Sequence, residues 1–140
     1  MDDGQEEALS DYFWRVAGRL RHRSRETLAP WDISPSHFRA LGVLLQRGPM
    51  RPGDLSDQLH IAPRSVTEVV DTLQERGLVE RQPDPTDRRA TQLVLTPAGH
   101  EIGQAIRTAR TADAERFFAV LTETDRAHLR RILRKLTPDD

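Results

Sequence analysis

The chain has 140 residues, of which 36% are hydrophobic and 31% charged, with a formal net charge of −1; that length favours one domain, 1–140. It contains no cysteine, which excludes disulfides, cysteine redox sensing and cysteine–zinc sites. Near-neutral charge means that any affinity for nucleic acid must come from where charge is placed, not from its total.

The first expected helix covers about Glu7–Leu28, after a frayed Met1–Glu7. Leu9, Phe13, Val16 and Leu20 form a stripe at helical spacing. Arg15, Arg19, Arg21, Arg23 and Arg25 lie mostly off it and read as a solvated face. Pro30 ends the helix. Ser34-Pro35 is a start signal, serine at the N-cap and proline at the first helical position. The second helix should run to Gln46 or Arg47 with Phe38, Leu41, Leu44 and Leu45 inward, and Gly48-Pro49 stops it. Met50 suits a strand of one or two residues that pairs with a later hairpin. Pro52–Leu59 is a short helix and His60-Ile61-Ala62 a turn, with Leu55, Leu59 and Ile61 packing on the helix that follows.

That next helix, Pro63–Arg76, is the centre of the chain. Val66, Val69, Val70 and Leu73 make one face apolar. The other face carries Arg64, Ser65, Thr67, Glu68, Asp71, Thr72 and Glu75. Gly77 should stop the helix in a left-handed cap. Leu78–Gln82 and Ala90–Thr96 read as two strands, with Thr91, Leu93 and Leu95 alternating along the second. Between them Pro83–Arg89 is a charged loop stiffened by two prolines. A short helix, a turn, a polar-faced helix and a charged hairpin are the layout of a winged helix-turn-helix. Thr96-Pro97 then starts a helix to about Leu121, with Ile102, Ile106, Ala109, Phe117 and Val120 on one broad side. Thr122-Glu123-Thr124-Asp125 is a capping box with aspartate in the last place. It opens a final helix, Glu123–Leu136, with Leu129, Ile132, Leu133 and Leu136 in register and Pro138 beyond.

Val66-Thr67, Val70-Asp71, Leu73, the Gly77-Leu78-Val79-x-Arg81 step, Asp87 and Arg89 in the wing, and the Leu95-Thr96-Pro97-x-Gly99 exit resemble the MarR family of bacterial transcriptional regulators. The helix order outside these motifs fits as well, so the resemblance covers nearly the whole chain. It implies a mainly α fold with a small β-hairpin wing. The winged module spans about 34–99, and dimerisation helices about 7–29 and 97–136 flank it. It also implies a homodimeric, ligand-responsive repressor on double-stranded DNA with a palindromic operator. One recognition helix, 63–76, would enter each of two major grooves, with wing 83–89 in the minor groove. The DNA-facing set is then Arg51, Pro63, Arg64, Ser65, Thr67, Glu68, Asp87, Arg88 and Arg89. Asp71 resembles the family's partner for the wing arginine. Two departures bear on base preference: Glu68 stands where many members have a basic residue, and Ala62 where serine is common.

Residue chemistry agrees with that set. Arg64 can reach guanine edges or a phosphate, and Glu68 could accept from cytosine. Arg88 and Arg89 suit a narrow minor groove. Ala62 cannot cap with its side chain, which either leaves N–H groups free for a phosphate or is simply a poor cap costing ~1 kcal/mol. The resemblance further implies a small aromatic or phenolic effector between the end helices and the winged module, where Trp14, His22, Trp31 and His37 are the candidates. A winged helix that binds only protein is the alternative, and the Asp87-Arg88-Arg89 tip argues against it. There is no phosphate-binding or dinucleotide glycine motif and no His-Glu-x-x-His, and the five histidines are scattered. No enzyme, metal or cofactor is expected. No apolar run approaches membrane-spanning length, and the acidic start is unlike a signal peptide. A cytoplasmic protein with no membrane partner is therefore expected.

Overall fold

The computed structural model describes residues 6–137. Most of the expected fray at Met1–Glu7 and the expected stop at Pro138 lie outside them. The order is α1 (Leu9–Leu28), a 3-10 turn (Ala29–Trp31), α2 (Pro35–Arg47), α3 (Pro52–Leu59), α4 (Pro63–Glu75), β1 (Val79–Pro83), β2 (Thr91–Leu95), α5 (Pro97–Phe118) and α6 (Glu123–Leu136). This is a mainly α winged helix-turn-helix with a two-stranded wing.

The starts are made by side chains, as the sequence suggests. The hydroxyls of Ser34, Thr96 and Thr122 accept from the amides of His37, Gly99 and Asp125. Thr96 does two jobs, because its hydroxyl also donates to the Gly77 carbonyl at 2.6 Å. It therefore joins the end of the α4 turn to the start of α5. Gly77 is left-handed, with φ +71.

β1 and β2 are antiparallel, with Val79 opposite Leu95 and Arg81 opposite Leu93. Both strands begin one residue later than expected. Met50 joins as a one-residue third strand: its amide donates to Leu93 O at 3.3 Å and its carbonyl accepts from Leu93 N at 2.7 Å. The core lies under this hairpin. Leu41 and Leu44 of α2, Leu55 and Leu59 of α3, Val66, Val70 and Leu73 of α4, then Leu78, Val79 and Leu93, are all buried. Each such side chain contributes ~1.5–3 kcal/mol relative to exposure. Leu45 is only half-buried. Gly99 seats α5 on the wing base: a Cβ there would lie 2.1 Å from the Leu78 carbonyl oxygen.

The ends of the chain are different. Of α1 only Leu28 is buried, and α6 buries nothing. Leu9, Phe13, Val16, Ile132, Leu133 and Leu136 are exposed apolar residues. α5 stops at Phe118, short of the expected Leu121, and a turn follows that leaves Val120 89% exposed rather than on the inner side. The arginine run of α1 is not wholly a solvated face. Arg23 donates to Asp113 of α5 at 2.8 and 3.1 Å, and Arg19 and Arg23 both lie over the Phe117 ring. The hydrogen bond and charge of Arg23 hold the Asp113 carboxyl below the usual range.

Candidate nucleic-acid interface

α4 presents its polar arc to solvent: Pro63, Arg64, Ser65, Thr67, Glu68 and Asp71 are all exposed, while Val66, Val69, Val70 and Leu73 face the core. Its N-cap, Ala62, makes no side-chain bond, so the helix begins with unpaired N–H groups of the kind that receive phosphates. The Thr67 hydroxyl donates back to Pro63 O at 3.1 Å, so it is not a free donor. What it offers outward is an acceptor and a methyl group. The Arg64 side chain forms no hydrogen bond or ion pair among the described residues. The turn before α4 is fixed from inside. The Ser56 hydroxyl donates to Ile61 O at 2.6 Å, and Arg39 of α2 donates to Leu59 O at 3.1 Å.

The wing is organised around a residue that the sequence reading did not single out. Asp84 accepts from Thr86 N at 2.8 Å, Thr86 Oγ1 at 2.7 Å and Asp87 N at 3.2 Å. It also accepts from Arg51 Nε at 3.0 Å. The Arg51 bond first, then those from Thr86, push the Asp84 carboxyl well below the usual carboxylate range. The signal was present as Asp84-Pro85-Thr86, an aspartate able to bond its own backbone two residues on. Asp87 holds the next step, accepting from Arg89 N at 3.0 Å. Arg88 and Arg89 are left exposed, with no side-chain partner among the described residues.

One expectation gains a partner here and another changes. Arg51, grouped with the DNA-facing residues, donates from Nε to Asp84 and ties the start of α3 to the wing. Asp71, expected beside Arg89, instead accepts from Arg81 of β1 at 2.7 Å, and Arg81 also donates to the Gln74 side chain. The partner is a strand arginine at the wing's base, which braces the hairpin against α4 and leaves the Arg89 side chain untethered among the described residues.

A sequence model of the MarR family matches residues 33–91, from two residues before α2 to the start of β2. The chain is 33% identical over 121 residues to the HTH-type transcriptional regulator YsmB of Bacillus subtilis, covering 86% of this chain and 83% of that one. It is similar to wild-type MarR from Escherichia coli in its apo form, with a TM-score of 0.83 and 26% identity over 96% of this chain and 100% of that one. This chain belongs to the MarR family. It is a DNA-binding transcriptional regulator. Another relative, the transcriptional repressor MprA of E. coli, is 28% identical over 134 residues, 94% of this chain and 76% of its own.

The four residues offered for an effector do not form one site in this MarR-family chain. Trp14 and His22 lie on exposed surface of α1, Trp14 edge-on to Phe13 and His22 paired with Glu26 at 3.1 Å. Trp31 and His37 sit at the α1–α2 junction. Burial, then the charge of Arg76, lower the His37 pKa from its ordinary value. A groove of about 500 Å³ opens elsewhere, between α2, the end of α3 and α5. Phe38, Val43 and Leu59 line it with Arg39, Arg107 and Arg110, and Arg110 stacks over the Phe38 ring at 4.7 Å. None of the four candidates lines it. Among the described residues no group of three His, Asp or Glu could hold a metal ion, and no helix is long and apolar enough to cross a membrane.

Proposed function

We propose that this MarR-family regulator works as a homodimer that represses transcription from a palindromic operator. The observation that carries the dimer is the unpartnered apolar surface at the two ends of the chain. Leu9, Phe13 and Val16 of α1 are 86%, 50% and 43% exposed, and Ile132 and Leu136 of α6 are 45% and 70% exposed. Exposed apolar patches of this kind mark interfaces, and pairing α1 and α6 with a second copy would bury over ~2,000 Å², the scale of an obligate dimer. Two recognition helices joined in this way would face grooves about 34–36 Å apart, with Arg64 reading base edges and Arg89 in the minor groove beside it. Repression is supported by the relative MprA, itself a transcriptional repressor.

We place any small effector in the α2–α5 groove, away from Trp14 and His22. Three arginines around an aromatic and aliphatic floor suit a small aromatic or phenolic acid. Its coupling to DNA affinity should be ~1–3 kcal/mol. Sedimentation equilibrium at low micromolar concentration tests the dimer, and a monomer mass would sink it. A panel of aromatic acids, scored by both melting temperature and operator affinity, tests the switch. A panel in which nothing moves both would remove the effector from this reading.

A further inference from the structure

One side chain ties the far end of the recognition helix to the dimerisation half of the molecule. Arg76, the C-cap of α4, donates from Nη1 to the Asp32 carbonyl at 2.6 Å and from Nη2 to the Trp31 carbonyl at 2.8 Å. Those oxygens belong to the turn that closes α1. Asp32 is left-handed there, with φ +52, and its amide donates to Ala29 O at 3.0 Å. Carbonyls at the end of a helix lack intrahelical partners and carry the negative end of its dipole. A planar guanidinium can bridge two of them, whereas an ammonium acts as a point charge.

The anchor is rigid. Leu28 before the turn and Ile33 after it are buried, and Trp31 packs against the core. The other end of the clamp is a helix whose other ties run elsewhere: Ser56 and Arg39 fix the turn before it, and Thr96 holds the Gly77 carbonyl after it. Its apolar face holds it in the core by contacts that have no direction, and Asp71 holds the wing, which travels with the helix. Among the described residues, the two Arg76 bonds are the oriented hydrogen bonds that run directly from the end of α4 to the turn that closes α1.

We propose that Arg76 is a positioning residue that sets the recognition helix against α1, and through α1 against the recognition helix of the second subunit. This rests on the dimer reading above. Arg76 is not itself a DNA contact in this scheme, because both terminal nitrogens are engaged on the protein. Losing the clamp leaves each helix and its wing able to read half an operator but spoils their joint fit to the whole.

The test uses duplexes selected by the wild-type protein from a random pool, one complete palindrome and one isolated half-site, titrated against wild type, Arg76→Ala and Arg76→Lys at several salt concentrations. Both variants should bind the complete site about tenfold more weakly, within the range seen when residues that touch neither ligand alter coupling. Half-site affinity and the salt dependence should stay as in wild type. Melting curves accompany each titration, and if Arg76→Ala does not fold, Arg76→Lys decides. Wild-type affinity of Arg76→Lys for the complete site would overturn the clamp. So would equal weakening on both duplexes with a shallower salt dependence in Arg76→Ala, which is the signature of a phosphate contact. The dimer reading is tested separately, by whether the wild-type protein gains affinity from the second half-site.

Discussion

Replacing Asp71 by asparagine sets two physical effects against each other, and they differ in sign. Removing a negative charge from a helix that faces DNA should tighten binding. At ~10 Å from a phosphate in water the gain is ~0.4 kcal/mol per subunit, before salt screening reduces it. Against this stands the brace. Asp71 accepts from Arg81 at 2.7 Å, with the two side chains 56% and 33% exposed, so the pair is a surface ion pair worth ~0.2–1 kcal/mol. Two wings in a dimer make that ~0.4–2 kcal/mol, or about 2- to 30-fold in operator affinity if the wing is loosened. The shared hydrogen bond from Arg81 to Gln74 places the brace toward the upper end. Asp71→Asn should therefore weaken operator binding in an anisotropy titration while the melting temperature barely moves. Arg81→Gln should do the same, and the double variant should be no weaker than the worse single, since residues of one network are not additive. Tighter binding by Asp71→Asn would refute the brace and leave plain electrostatics in charge.

Other consequences are simpler to measure. Gly99→Ala should unfold more easily by ~3 kcal/mol, lowering the melting temperature by ~10 °C, because its Cβ would meet the backbone oxygen of Leu78; an unchanged melt would show that α5 can shift away. The pKa of His37 is lowered below its ordinary 6.5, so the unfolded chain takes up that proton first. Its stability is complete above about pH 6.5 and falls as the pH drops from there through the folded value, and melts of His37→Gln should lose that slope. Arg107→Gln combined with Arg110→Gln should abolish any aromatic-acid effect on operator affinity yet leave unliganded binding intact, which a titration with and without the acid checks.

Local signals located most of the fold. Ser34-Pro35, Thr96-Pro97 and Thr122 each cap the helix they were expected to cap, because the bond runs only three residues along the chain. Gly77 takes its left-handed turn for the same reason. Even Met50 pairs with Leu93 as anticipated, since its place between two prolines and opposite a hairpin leaves little else for it to do. What stayed hidden are choices among long side chains. Six arginines lie between residues 51 and 89, and composition cannot say which are spent inside the protein. Arg51 goes to Asp84, 33 residues away, Arg76 to Trp31 and Asp32 more than 40 residues away, and Arg81 to Asp71. The periodicity of α5 also misled at its end: Val120 has the right spacing, but the helix stops two residues earlier.

That division of the arginines has a measurable consequence. If every one of the six touched phosphate, a dimer would neutralise twelve charges, and the slope of log affinity on log salt would be about −11. The structure leaves Arg64, Arg88 and Arg89 unengaged among the described residues, and commits Arg51, Arg76 and Arg81 to the protein. Three per subunit give a slope of about −5 for the dimer. The acidic neighbours Glu68, Asp71 and Glu75 on the same helix weaken attachment to any sequence alike, so more of the affinity must come from base contacts, and discrimination should gain. Arg89→Ala should then reduce the slope by about two units, one per subunit, and weaken binding to operator and scrambled duplex together. Arg64→Ala should cost ~1–3 kcal/mol at particular operator positions if it holds a guanine there. A wild-type slope near −11 would mean that the internal ion pairs open on DNA. If Arg89→Ala stays folded and binds both duplexes like wild type, the wing does not reach DNA, and a protein-binding role for this module moves ahead.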